Sequence, residues 1–377
     1  LSVPYGFIDP LEGFDSLDSA PPLSLRDSVS GFDQPLKTFN LTSLPQDHAL
    51  VLPVGVITQG AWFCDCLQYL PPHWPDAEWM QRIAGHRLVR DSDGLRLEPE
   101  DLPAPLALSG AWCVLNDFVG YRNIAHFFSD ELAQLAAIRR LRQHDPTLKV
   151  LARYATHPNI NLLRELLVPQ ALVDARPAVA MGEAPLLQLE RLHLQPIGFN
   201  GAAGFYPTFH TQEWWLALSD YREGLACLRQ ALDALFPANP GVRGSWICFS
   251  RDLHRPTEAP QGRQYTNYPE LLEALSNRGV IVLDPGLFSI FDLYPLIRSA
   301  RGFIGIHGAG LANTFLASGG SRVVEIRTCF GVSRVLELLG KAADLDWRTI
   351  DTPPAPDGGD RSVIPIDKVL DLLADLP

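Results

Sequence analysis

Four sets of residues in this sequence of 377 residues have types and spacing suited to chemistry. The first is His307-Gly308-Ala309-Gly310-Leu311-Ala312-Asn313, placed directly after the apolar run Phe303-Ile304-Gly305-Ile306. An apolar run that meets a glycine-punctuated bend, followed by helical spacing at Leu311, Phe315 and Leu316, predicts a buried parallel strand, a tight turn and a helix start. Gly308 and Gly310 lack a Cβ, so the backbone can bend sharply and a ligand can approach it closely. The first amides of a helix have no internal partners and carry the positive end of its dipole, which suits a phosphate or carboxylate. His307 falls at the carboxyl end of the strand, where open α/β sheets bind ligands. The plainer reading of the same residues is a tight turn between a strand and a helix.

The second set is Arg251, at the end of the run Ser245–Arg251, with Arg263 in the loop behind it. A guanidinium is planar, always charged and shaped to phosphate oxygens, so two of them opposite a helix N-terminus would clamp a diphosphate. Read singly, each is a solvated loop charge. The third is Glu325 inside the apolar run Val323-Val324-Glu325-Ile326. A carboxylate there is costly unless paired. It follows the glycine turn by about the interval at which dinucleotide folds place a ribose-binding acid, so it is expected to accept from a ribose; an ion pair with Arg322 or Arg327 is the alternative.

The fourth set is Asn123, His126 and Asp130, at i, i+3 and i+7, which puts them on one face of a helix beside an apolar stripe of Ile124, Phe128, Leu132 and Leu135. Either His126 or Asp130 has the chemistry to remove a proton from a hydroxyl. The competing role is a cap and a core hydrogen-bond network. Asn267 and Glu270, three residues apart, resemble a capping box and are expected to be structural.

The elements needed to hold these groups are visible as alternating strands and helices, the pattern of parallel sheets covered on both faces. Strands are expected at 49–52, 54–57, 111–115, 148–154 and 186–194, with helices at 122–142, 160–167 and 213–235. Residues Arg87 to Glu98 alternate about a turn at Asp93-Gly94, predicting a hairpin. Phe236-Pro237-Ala238-Asn239-Pro240-Gly241 interrupts the rhythm and marks a boundary. Beyond it strands are expected at 245–251, 280–283, 303–307, 323–327 and 347–350. Helices are expected at 268–278, 290–300, 311–317, 332–343 and 366–376. The organisation is therefore an irregular arm at 1–45, a domain at 46–236, a second at 241–350, and a loop with a last helix at 351–377. The fold class is α/β, with two Rossmann-like domains facing each other across a cleft.

Composition narrows the partners. The chain has 31 Lys and Arg against 43 Asp and Glu, a net charge of −12, which argues against nucleic acid or an anionic membrane surface. It is 46% hydrophobic with mean hydropathy near zero, and no stretch is apolar enough for a membrane span. Cys64, Cys66, Cys113, Cys227, Cys248 and Cys329 show neither a pairing pattern nor zinc spacing, so buried free thiols and a reducing compartment are expected. Asp91-x-Asp93 and Asp344-x-Asp346 each spell D-x-D, a metal-binding pair in some nucleotide-sugar enzymes; turn chemistry explains the first and a surface loop the second.

With these residues in view, the sequence resembles glycosyltransferase family 61. The resemblance lies in H-G-A-G-L-x-N and V-V-E-I, in Ser250-Arg251, Arg263 and Asn267 upstream, and in Asn123-x-x-His126-x-x-x-Asp130-x-Leu132. It spans about residues 111–328 and leaves 1–110 unmatched. Tyr268 departs from the acidic residue that often follows the asparagine. The resemblance implies a GT-B fold and metal-independent inverting transfer from a nucleotide-diphosphate sugar, UDP-linked, with no cofactor. It implies that His307, Gly308, Ala309, Gly310, Leu311 and Asn313 contact nucleotide and phosphates. Arg251 and Arg263 would hold the diphosphate and Glu325 the ribose, with Asn123, His126 and Asp130 on the acceptor side. The acceptor is expected to be a glycan or another hydroxyl in surface polysaccharide biosynthesis. The expected compartment is the bacterial cytoplasm, at or near a membrane, or a lumen if a targeting segment precedes Leu1. A sugar-nucleotide epimerase or hydrolase, and a non-catalytic carbohydrate-binding module, are the competing functions.

Overall fold

The computed structural model describes residues 49–52, 55–58, 61–63, 88–91, 94–97, 106–115, 123–152, 154–174, 187–193, 211–236, 241, 243–250, 264–329, 335–356 and 361–374. The arm at 1–45, the loop carrying Arg251 and Arg263, and Cys64 and Cys66 lie outside them. The chain divides into two compact units, Leu1–Arg122 with His126–Gly224, and Asn123–Ala125 with Leu225–Pro377. Each is α/β, as the alternation of strands and helices requires.

In the first unit the strands are β1 (Ala49–Leu52), β2 (Gly55–Thr58), β3 (Ala61–Phe63), β4 (Leu88–Asp91), β5 (Gly94–Leu97), β6 (Leu106–Val114), β7 (Lys149–Ala152), β8 (Leu172–Asp174) and β9 (Leu187–His193). Seven of them form one sheet in the order β3-β2-β1-β9-β6-β7-β8. Strands β9, β6, β7 and β8 run parallel, while β1, β2 and β3 extend the sheet antiparallel. β4 and β5 form the expected hairpin, with Asp91 opposite Gly94; Gly94 is thus a strand residue rather than the second turn residue. β6 starts earlier than its apolar run suggests, because its register shifts between Leu108 and Ala111 and Gly110 takes a φ of 93°. Only glycine occupies that region without strain.

The second unit contains β10 (Trp246–Phe249), β11 (Gln264–Tyr265), β12 (Ile281–Leu283), β13 (Gly302–Ile306), β14 (Arg322–Arg327), β15 (Asp346–Asp351) and β16 (Arg361–Ser362). Its main sheet is wholly parallel, ordered β12-β10-β13-β14-β15. Parallel strands buried on both faces read as continuous apolar runs, and Phe303, Ile304, Val323, Val324 and Ile326 are completely buried. Ile304, Ile306, Val324 and Ile326 pack with Leu271 and Leu275 of helix Tyr268–Asn277 and with Val369 of helix Ile366–Ala374. The opposite face meets the segment after β13: a Cβ on Gly305 would lie 3.0 Å from Leu311 Cδ2.

Asn267 corrects the capping-box expectation. It occupies the N-cap position of helix Tyr268–Asn277 but makes no side-chain cap bond. Its amide instead grips the backbone of Ile364, donating from Nδ2 to the carbonyl oxygen at 2.8 Å and accepting from the N–H at 2.8 Å. Two matched backbone groups satisfy both ends of the amide, which a single cap amide would not. Among the described residues no helix is long and apolar enough to cross a membrane.

Candidate active site

The second sheet fixes where a ligand can bind. Counted along the chain, its strand order is 2-1-3-4-5, so the connections leave β10 and β13 on opposite sides of the sheet. The crevice outside the carboxyl ends of such a strand pair is the switch point where open α/β sheets take ligands. Phe249 is in register with Gly305, so β10 ends next to the end of β13. His307 is the first residue beyond β13, and its N–H donates to Ile326 O at 2.8 Å. Ser250 is the first beyond β10, with Arg251 following it in the sequence.

The glycine bend forms where it was expected, but the turn after it is wound more tightly. Residues Ala309–Leu316 form a 3-10 helix rather than an α-helix. Two side chains favour the tighter winding by bonding the carbonyl three residues back: Asn313 Nδ2 to Gly310 O at 2.9 Å and Thr314 Oγ1 to Leu311 O at 2.7 Å. Asn313 therefore closes the turn. Leu311 is 1% exposed and its side chain is part of the core, so only its backbone can meet a ligand. Ala309 and Gly310 are half-buried and open the helix beside His307, while Gly308 is buried.

Glu325 overturns the ribose expectation. Its side chain is 1% exposed, and both of its oxygens have protein partners. Oε1 lies 2.5 Å from His307 Nδ1, and Oε2 accepts from Trp347 Nε1–H at 2.9 Å. Nor does it pair with a neighbouring arginine: Arg322 binds Asp346, and Arg327 binds Asp351 and Glu337. The buried carboxylate holds the histidine. A carboxylate only accepts, so Nδ1 carries the proton and Nε2 is the ring nitrogen left for a ligand.

The second D-x-D is structural, as its setting suggested. Asp344 turns the chain at a φ of 63° after helix Val335–Ala342. Burial pushes the Asp346 carboxyl up, but bonds from Arg322 and Arg348, both 2.7 Å, more than reverse this and hold it below the ordinary carboxylate range.

In the first unit, His126 and Asp130 meet: Nδ1 and Oδ2 are 2.8 Å apart. The side chain of His126 is 25% exposed and that of Asp130 only 6%, so the imidazole is the accessible member and the carboxylate stands behind it. Asn123 caps the helix, its Oδ1 accepting from Ala125 N–H at 2.9 Å. The helix expected over 122–142 forms, but it is not continuous α-helix. It runs α over Ile124–His126, π over Phe127–Glu131 and α over Leu132–His144, with Leu132 N–H reaching back five residues to Phe127 O. Every residue from Phe127 to Ile138 is buried. Glu131 tolerates this burial because it forms a two-pronged ion pair with Arg164 of helix Pro158–Leu167, at 2.8 and 2.9 Å, and both side chains are almost completely buried.

The family model for glycosyltransferase 61 matches residues 124–324, more than half of the chain. The chain belongs to glycosyltransferase family 61. Its activity is glycosyl transfer, from a sugar donor to an acceptor. The match begins at the helix carrying His126 and Asp130 and ends one residue before Glu325. Comparison with the curated proteins gave no match. Among solved structures the chain is similar to the E. coli heptosyltransferase WaaC with ADP, at 9% identity, over 71% of this chain and 99% of that one, with a TM-score of 0.36.

Sequence reasoning missed Trp347, Glu131 and Arg164. Trp347 had a signal. It begins the next strand expected after that of Glu325, and an indole needs an acceptor when buried. Arg164, within a largely apolar helix, likewise called for a carboxylate.

Proposed function

We propose that this family member is a GT-B enzyme using a nucleotide-diphosphate sugar, UDP-linked, and transferring the sugar to a glycan hydroxyl with inversion and without a metal ion. Surface polysaccharide synthesis on the cytoplasmic side of a membrane is the proposed setting. The observation that carries this reading is the His126–Asp130 pair, an accessible imidazole held at Nδ1 by a buried carboxylate. Direct displacement at the anomeric carbon needs a base for the acceptor hydroxyl, and this is the arrangement that orients one. The hydroxyl oxygen attacks the anomeric carbon, its proton passes to His126, and the bond to the diphosphate breaks with the electron pair leaving on the diphosphate. His307, the amides opening at Ala309, Arg251 and Arg263 would supply the charge and hydrogen bonds that the leaving diphosphate requires. Asp130 keeps the His126 ring in one tautomer and compensates the imidazolium that forms.

Turnover of a panel of nucleotide sugars, with the anomeric configuration of the product read by NMR, tests the reading. The expected product is inverted, and turnover persists in a metal chelator. His126→Ala lowers kcat by about a hundredfold or more, within the range for a lost general base, with donor KM little changed. A retained configuration, loss of turnover in chelator, or free sugar as the sole product overturns it.

A further inference from the structure

The His307 imidazole is held by a buried chain of contacts that crosses three strands of the second sheet. Glu325 lies opposite Thr349 and Trp347 opposite Val323, so Trp347 sits two positions back along the neighbouring strand and shares the face of Glu325. Its indole is long enough to cover that diagonal. It is 6% exposed, and its ring stands 6.0 Å from that of Phe315 in the turn that follows the glycine bend. From the other side it presses on helix Val335–Ala342 at Gly340, where a Cβ would stand only 2.1 Å from Trp347 Cε3. No side chain fits there, so Gly340 is the slot that sets the depth of the indole.

We infer that Trp347, seated on Gly340, is a positioning residue for the donor site: it holds Glu325 so that the carboxylate takes the Nδ1–H of His307 and commits Nε2 to the donor diphosphate. This rests on the donor-site role given to His307 above. The chemistry is directional. An indole N–H only donates and a carboxylate only accepts, so the chain from Trp347 through Glu325 leaves the imidazole one tautomer when neutral. Trp347 touches no ligand; it acts through Glu325.

A merely structural tryptophan would not govern the tautomer, and that difference can be read. In the full chain, the 15N spectrum of the His307 ring should show Nδ1–H in the wild type. In Glu325→Gln the indole N–H claims the amide oxygen, the amide NH2 faces Nδ1, and the proton moves to Nε2. Adding Trp347→Phe to Glu325→Gln frees the amide to turn, and Nδ1–H returns. An unchanged tautomer in Glu325→Gln, or no return in the double variant, overturns the inference without touching the functional reading. Binding of UDP by calorimetry supplies the second arm. Trp347→Phe should weaken it by up to about tenfold, because Glu325 then fixes the His307 ring less firmly; one net hydrogen bond sets the ceiling. Trp246→Phe is the matched control. Trp246 is equally buried in the same sheet, and its indole nitrogen has no hydrogen-bond partner among the described residues, so UDP affinity should hold within about twofold. Equal losses in both variants overturn the inference. Should UDP and the other nucleoside diphosphates all fail to bind the wild type, the donor-site reading falls, and with it the positioning role, even where the tautomer responds as described.

Discussion

At the scale of single residues, the sequence showed which side chains had to be accounted for but not which partners they had. Glu325 in an apolar strand and Asp130 on a helix each demanded compensation for a buried charge, and each found it in a histidine Nδ1. A carboxylate meets a histidine by folding, across 18 residues in one case and four in the other, and only the short spacing can be read from a helical period. His157 shows the same limit in reverse. It stands at the N-cap of helix Pro158–Leu167, half-buried, and its buried Nδ1 has no partner among the described residues. Burial holds its imidazole below the ordinary value of 6.5. The native chain therefore resists a proton that the unfolded chain accepts. Stability contributed in this way is complete above pH 6.5, falls as pH drops from there toward the depressed native value, and is level below it. Urea midpoints measured at about pH 7.5 and about pH 5.5 should differ less in His157→Gln than in the wild type. An equal pH difference in the two proteins would assign the acid sensitivity elsewhere.

At the scale of elements, apolar runs and periodicity located the long pieces. The five strands of the second sheet and its α-helices lie within a few residues of their expected places, because parallel strands buried on both faces and amphipathic helices leave strong patterns. The strands Gln264–Tyr265 and Arg361–Ser362 are two residues each, too short for any period, and the grip of Asn267 on Ile364 lies just beyond their pairing. The 3-10 and π windings differ too little from 3.6 residues per turn to be seen in a stripe. The π turn has an energetic anchor that can be tested. Glu131 is its last residue, and its ion pair with Arg164 is buried on both sides. Removing one member strands a charge in the core, at a cost of about 3–5 kcal/mol. Arg164→Met should lose about that much in denaturant unfolding. Replacing both, with Glu131→Leu added, should recover much of the loss, since well-packed apolar residues replace buried ion pairs at little cost. A single variant as stable as the wild type would show that the pair contributes nothing.

At the scale of the whole molecule, the long helix Thr211–Leu235 is the element to examine, because the division between the two units falls inside it, between Gly224 and Leu225. Its first half serves the first unit: Tyr221 is completely buried, Asp220 and Glu223 bind Arg140, and a Cβ on Gly224 would stand 2.8 Å from Leu132 Cδ1. Its second half serves the other. Leu228 and Leu232 are completely buried, and Arg229 donates to Phe315 O at 2.8 Å and Ala343 O at 3.0 Å, closing the ends of the turn after the glycine bend and of the helix that seats Trp347. The sequence announced the helix but placed the boundary at the proline and glycine run that follows it, because punctuation is legible and shared use of one helix is not. Either unit, in unfolding, must give up part of a helix that the other needs. Heating should therefore produce a single calorimetric transition, and a nucleoside diphosphate that binds the second unit should raise that transition as a whole. Ala226 is exposed near the division, so Ala226→Pro removes no core side chain. It breaks the helix at a cost of about 3 kcal/mol, through a lost backbone bond and a clash with the preceding turn. In that variant the heat-capacity peak should split in two, with only the second unit's peak responding to the nucleotide. Two peaks already present in the wild type, one of them indifferent to ligand, would show that the shared helix does not couple the units.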